Sequence, residues 1–212
     1  SDKRMLALFD YFCQVICAIK DGFIKVAAVT PEVRVADPVF NAEQILEQIR
    51  VCEEKGVKIA VFPELALTAY TCGDLFFQDA LLTGAVQALK TIAAYTEKLP
   101  AITAVVGVPL RIGSRLFNCG AVISGGRIRG IVPKTFLCSE MDEGRWFVPA
   151  AALNTDTVNF GYDIPVGCDL LFTFADGTAF GVEICEDLWR PISPSVKLVH
   201  AGAEVIVNLS AS

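Results

Sequence analysis

Apolar residues along the chain follow two periods. Residues 24–30 (IKVAAVT), 58–62 (KIAVF) and 102–108 (ITAVVGV) are short, nearly continuous apolar runs of the kind that form strands covered on both faces. Between them the spacing lengthens to three and four. Ala42, Ile45, Leu46 and Ile49 share one helical face, with Asn41 predicted as the cap, Gln44 as its capping-box partner and Gly56 as the stop. Phe77, Leu81, Ala85, Ala88, Leu89 and Ile92 predict a second, longer helix from about residue 75 to 98.

The middle of the chain changes character. Runs 115–123 and 127–132 flank Ser124-Gly125-Gly126, a hairpin signal, and runs 169–175 and 178–184 flank Asp176-Gly177. Residues 135–165 are irregular, and unstructured stretches of that length inside a domain are usually functional. A short helix over 194–202 leads into a last strand, 204–209. The pattern predicts an α/β domain with antiparallel hairpins added to a central sheet, and no linker or internal repeat. The last strand lacks the covering helix that such strands need, so a domain truncated at its C-terminal end is expected.

Composition narrows the class. Apolar residues make up 53% of the chain even before its 16 glycines are counted, and only 20% of residues are charged. That balance excludes intrinsic disorder. The longest uncharged run, Leu99–Leu110, is 12 residues, too short for a membrane span of roughly 20. A net charge of −6 without a Lys/Arg cluster excludes nucleic acid as a partner. The eight cysteines are scattered, with no CxxC pair, and there is one histidine. This argues for a reducing, cytoplasmic setting and offers no metal site. Residues 1–21 contain an apolar stretch that Asp10 and Gln14 interrupt, without a small-residue cleavage site; an amphipathic helix is expected there rather than a signal peptide.

Three apolar strands run straight into reactive side chains: KIAVFPE into Glu64, RIRGIVPK into Lys134, and FGVEIC into Cys185. Ligands of α/β sheets collect beyond the carboxyl ends of strands, so the three groups can converge in one pocket. Each alone has an ordinary reading, as a loop acid, a solvated charge and a core cysteine. Together they form a working set. A carboxylate can take the proton of a thiol, and an ammonium favours the thiolate and steadies an oxyanion. The protonated acid can then serve a leaving amine and later activate water. A Cys–His scheme is weaker, because His200 follows Cys185 on the short helix, where packing or helix-end hydrogen bonding is its expected role. No Walker or dinucleotide fingerprint is present.

In their local words, FPEL around Glu64, VPKTFL around Lys134 and VEICEDLW around Cys185, these residues resemble the Glu-Lys-Cys triad of the nitrilase (carbon–nitrogen hydrolase) superfamily. The segments 22–37, 61–79 (VFPELALTAYTCGDLFFQD) and 182–189 are similar to the glutaminase domains of glutamine-dependent NAD synthetases. The resemblance runs from Gly22 to Ser212 and implies a nitrilase-like αββα four-layer sandwich. It also implies that Glu64 is the base, Lys134 the oxyanion stabiliser and Cys185 a nucleophile forming a thioester with glutamine. Tyr70, Glu143, Trp189 and Ser210 match positions lining the glutamine pocket. No cofactor is implied for the hydrolase; ATP and Mg would serve a synthetase domain that these residues do not include. A homo-oligomer is the expected assembly. One stretch departs from the family pattern: after Leu137-Cys138-Ser139 the chain passes directly to Glu140-Met141-Asp142-Glu143, a shorter path without the family's pocket tyrosine. A free-standing amidase for another small amide, and an inert domain serving as an interaction surface, are the alternatives.

Overall fold

In the computed structural model, which describes residues 5–7 and 23–211, two long antiparallel strands form the spine. They are β4 (Thr103–Ile112) and β5 (Arg115–Ser124). To one side β4 pairs in parallel with β3 (Ile59–Val61), and β3 with β2 (Val26–Ala28). To the other side β5 pairs antiparallel with β6 (Arg127–Pro133), giving a five-stranded sheet in the order β2-β3-β4-β5-β6. The β5–β6 turn uses Gly125 and Gly126, both at positive φ, as a tight hairpin whose twist matches its strands requires. A second sheet has the order β1-β9-β10-β11, from Met5–Ala7, Leu171–Thr173, Ala179–Ile184 and Val205–Leu209.

Strand alternation sorts the core into layers. Ala60, Ala104, Val106, Val108 and Ala121 face the helices α1 (Pro38–Glu54) and α2 (Asp79–Tyr95), against Ile45, Ile49, Ala85, Leu89 and Ile92. Ile59, Val105, Val122 and Val132 face the second sheet instead, meeting Phe172, Phe180, Val182 and Leu209. Burying one such side chain contributes about 1.5–3 kcal/mol. Gly120 and Gly130 let the sheets approach: a Cβ at Gly130 would lie 2.8 Å from the Phe172 ring. The outer face of the second sheet is covered by α3 (Pro194–His200), whose Leu198 packs on Leu171 and Ala179 over Gly181. The order helix, sheet, sheet, helix is the expected αββα sandwich.

Several local expectations are corrected. Asp37, not Asn41, caps α1: its side chain accepts the Phe40 N–H at 3.1 Å, and Pro38 occupies the first helical position. Asn41 is fully buried, and its amide instead bonds Arg34 and the Leu67 carbonyl, which ties two loops together. Gly56 does end the helix, with Val57 N–H returning to the Cys52 carbonyl. The helix expected over 75–98 is three pieces, because extended Gln78 separates the 3-10 segment ending at Phe77 from α2 and the chain after Tyr95 tightens into a 3-10 turn; Phe77 is exposed. The run 24–30 forms only three strand residues, at a sheet edge, with Val26 exposed. Residues 135–165 include a small hairpin, β7 (Thr157–Asn159) with β8 (Asp163–Pro165). Of the helix expected over residues 1–21, Met5–Ala7 form strand β1, and the remainder lies outside the described residues. Among the described residues no helix is long and apolar enough to cross a membrane.

Candidate active site

Each predicted catalytic side chain is delivered by a distinct backbone device. Glu64 follows β3 on a turn fixed by Pro63, with Leu65 in the left-handed region at φ 52°. That turn lies against Gly107 of β4, where a Cβ would come within 2.3 Å of Leu65 N and Pro63 O. Only a residue without a side chain admits it. Lys134 leaves β6 directly after Pro133, its N–H bonded to the Asn118 carbonyl at 2.8 Å. Cys185 opens the 3-10 turn Cys185–Trp189 after β10, at φ 44°, a conformation uncommon for a residue with a side chain.

The first two meet in a buried polar cluster. Lys134 Nζ lies 2.7 Å from Glu64 Oε1 and 2.7 Å from Glu143 Oε1, and all three residues are at most 2% exposed. Asn118 Nδ2 donates to Glu64 Oε1 at 2.7 Å, while Glu64 Oε2 is buried and has no hydrogen-bond partner of ordinary geometry among the described residues. Tyr70 donates its hydroxyl to Glu143 Oε1 at 2.8 Å, and the Cys138 N–H donates to Glu143 Oε2 at 2.7 Å. Thus the shortened 137–143 path still delivers Glu143 to the lysine. Ser210 Oγ donates to Cys185 Sγ at 3.5 Å, and Asn208 Nδ2 to the Cys185 carbonyl at 3.4 Å.

Electrostatics couples the thiol to the cluster. Burial pushes the Cys185 thiol above its ordinary pKa; the Ser210 hydrogen bond and Lys134 pull it down, and Glu64 pushes it up. Burial also raises Glu64, against the opposing pull of Lys134. For Lys134, burial alone would disfavour the ammonium, but two carboxylates outweigh it and the pKa rises. The resting arrangement is therefore a protonated thiol beside a carboxylate of raised basicity and a firmly charged lysine.

Of the seven residues named from the sequence, six gather here. Trp189 does not: it is 75% exposed at the end of the 3-10 turn. His200 is exposed in the last turn of α3 rather than packed, which removes support from the Cys–His scheme. Sequence reasoning missed Asn118 and Asp187. Asn118 is a polar residue within the otherwise apolar strand β5, and that interruption was its signal. Asp187 was hidden as one of two adjacent acids after Cys185.

A four-layer αββα sandwich with a buried Glu and Lys and a half-buried Cys at its strand ends is the arrangement of a carbon–nitrogen hydrolase, and the chain belongs to that family, whose model matches residues 25–212. Within it the chain is similar to glutamine-dependent NAD(+) synthetases. It is 39% identical over 199 residues to that of Mycobacterium tuberculosis (strain H37Rv), covering 92% of this chain and 29% of the relative. It is 29% identical over 184 residues to the Homo sapiens protein, covering 81% of this chain and 26% of that one. The crystal structure of a glutamine-dependent NAD(+) synthetase from Cytophaga hutchinsonii superposes with a TM-score of 0.74 at 30% identity, over 89% of this chain and 30% of that one. A nitrilase-superfamily amidase from Nesterenkonia shares the fold, with a TM-score of 0.68 at 17% identity over 88% of this chain and 64% of that one. The chain thus spans under a third of the synthetases' length.

Proposed function

We propose that the chain is the glutamine-hydrolysing portion of a glutamine-dependent NAD synthetase, working through a cysteine thioester. The observation that supports this reading is Lys134 held 2.7 Å from both Glu64 and Glu143, with Cys185 at the end of β10 accepting a hydrogen bond from Ser210. Glu64 takes the Cys185 proton, and the thiolate attacks the side-chain amide carbon of glutamine. The carbonyl electron pair moves to oxygen, where Lys134 stabilises it. As the C–N bond breaks, Glu64 returns the proton to nitrogen and ammonia leaves. Glu64 then deprotonates a water, which attacks the thioester; the thiolate departs, regains the proton, and glutamate is released. On this reading Tyr70, Glu143, Trp189 and Ser210 are assigned to glutamine binding; the Tyr70 bond to Glu143 and the Ser210 bond to Cys185 support it for those residues. In the whole enzyme the ammonia passes to a synthetase portion outside these residues, and the hydrolase portions associate as a homo-oligomer.

The test is a diazoketone analogue of glutamine combined with a hydrolysis assay over a short amide panel. One label on Cys185, lost in Cys185→Ala, together with preference for glutamine, is expected. Labelling of another cysteine, or turnover of a different amide in place of glutamine, overturns the reading and favours the free-standing amidase.

A further inference from the structure

We infer that Asp187 is a positioning residue that ties the strand end carrying Lys134 to the turn carrying Cys185. This rests on the reading of those two residues as catalytic. The Asp187 carboxylate is 1% exposed and makes no salt bridge among the described residues. Its Oδ1 accepts the N–H groups of Thr135 and Phe136, at 3.0 and 2.7 Å. Its Oδ2 accepts the N–H of Ile184 at 3.0 Å. Thr135 and Phe136 follow Lys134 directly, and Ile184 precedes Cys185. One side chain therefore bridges two segments 48 residues or more apart in sequence, at the residues flanking both reactive groups.

The chemistry of the three donors explains why an aspartate stands here. Strand ends leave backbone N–H groups without ladder partners, and burying them unpaired costs about 1–3 kcal/mol each. A carboxylate is acceptor-only on both oxygens, so it can serve both segments at once. Asparagine cannot, because its NH2 would face the donors of one segment. Alanine would leave all three unpaired. The tie also fixes distance: Lys134 is close enough to influence both Asp187 and Cys185, so its placement decides how strongly it favours the thiolate.

The experiment compares wild type with Asp187→Asn and with Asp187→Ser, which leaves room for water to satisfy the donors. Thr96→Val is the control, since buried Thr96 holds Gly126 N–H at 3.0 Å far from the site. Each is measured for glutamine kcat and KM, for the pH profile of Cys185 alkylation by iodoacetamide, and for thermal unfolding. In both Asp187 variants kcat falls by about 10²-fold with KM little changed, as for a small misplacement of reacting groups. The alkylation profile moves to higher pH, because Lys134 has drifted from the thiol. Thr96→Val unfolds at lower temperature without either change. The inference is overturned if the Asp187 variants melt earlier yet keep kcat and the alkylation profile. A profile shifted to lower pH also overturns it, since that is the effect of removing a nearby negative charge alone. A wild type that alkylates normally at Cys185 but leaves glutamine intact refutes the substrate reading, while the alkylation profile still decides the tie.

Discussion

Lys134 and Glu64 form an ion pair 2.7 Å long whose side chains are 0% and 1% exposed. Two buried charges this close stabilise each other only while both are present. Replacing Lys134 by Met therefore does more than remove the proposed oxyanion stabiliser. It leaves Glu64 beside Glu143 without a counter-ion, and both the loss of the lysine and the repulsion push the Glu64 pKa higher still. A carboxyl with raised folded pKa destabilises most when the pH lies above that pKa. Lys134→Met is expected to lose about 3–5 kcal/mol at pH 7.5 and clearly less at pH 5. Urea unfolding at the two values measures this; equal losses would mean the carboxylates find other partners.

Gly107 tests how Glu64 is aimed. The added methyl of Gly107→Ala meets the backbone of Pro63 and Leu65 at 2.3 Å, and backbone cannot swing aside as a side chain can. The turn must move, and Glu64 moves with it. Activity is expected to fall by at least about 10²-fold, with a stability loss of about 1–3 kcal/mol from overpacking. Steady-state kinetics beside urea unfolding separates the two effects, and wild-type turnover would show that the turn has another way to hold Glu64.

Why the triad was legible while its supports were not follows from the range of each interaction. Glu64, Lys134 and Cys185 each terminate an apolar run, and a strand's end is a local property of the sequence. Their convergence, in contrast, depends on Gly107 lying under the Glu64 turn, a contact between β4 and the end of β3 that no short window contains. Asn118 and Asp187 act across 54 and 51–52 residues respectively, through side-chain hydrogen bonds that leave no periodicity. The strands were legible where apolar runs are nearly continuous, as in β4 and β5, whereas the four layers came from the family resemblance. Helices were misread where one residue decides a boundary: Pro38 let Asp37 cap α1, and extended Gln78 separates the 3-10 segment from α2. Trp189 was assigned to the pocket by resemblance alone, and it is exposed at the end of the turn that Cys185 opens.

Asp187 also predicts a pH dependence. Burial raises its pKa from 3.8 to about 6, against three backbone donors that favour the charged form. Because the folded value is the higher one, its contribution to stability is fully present below pH 3.8 and is lost as pH rises through about 6. Asp187→Asn removes the titration. The stability of wild type relative to this variant should therefore improve by on the order of 1 kcal/mol between pH 7 and pH 5. Chemical unfolding of both proteins at the two values measures the difference. A gap that does not change with pH would mean that Asp187 keeps an ordinary carboxylate pKa.

Cys185 carries backbone strain that can be measured by its sign. The strand β10 ends extended, Ile184 lies at φ −129°, and the chain then reverses into the 3-10 turn through Cys185 at φ 44°. That reversal turns the thiol toward Ser210 and the Glu64–Lys134 pair instead of continuing along the sheet. A residue with a Cβ pays about 1–2 kcal/mol for the left-handed conformation, and glycine does not. At an ordinary position the ranking is the reverse, since glycine loses about 0.5–1 kcal/mol to alanine through the greater freedom of its unfolded chain. Both Cys185→Gly and Cys185→Ala remove the proposed nucleophile, so their stabilities can be compared without any effect of turnover. Cys185→Gly is expected to be the more stable, by up to about 1 kcal/mol, in urea unfolding at neutral pH. If Cys185→Ala proves the more stable, the turn relaxes to a right-handed conformation once the sulfur is gone, and the thiol rather than the surrounding fold holds the strain.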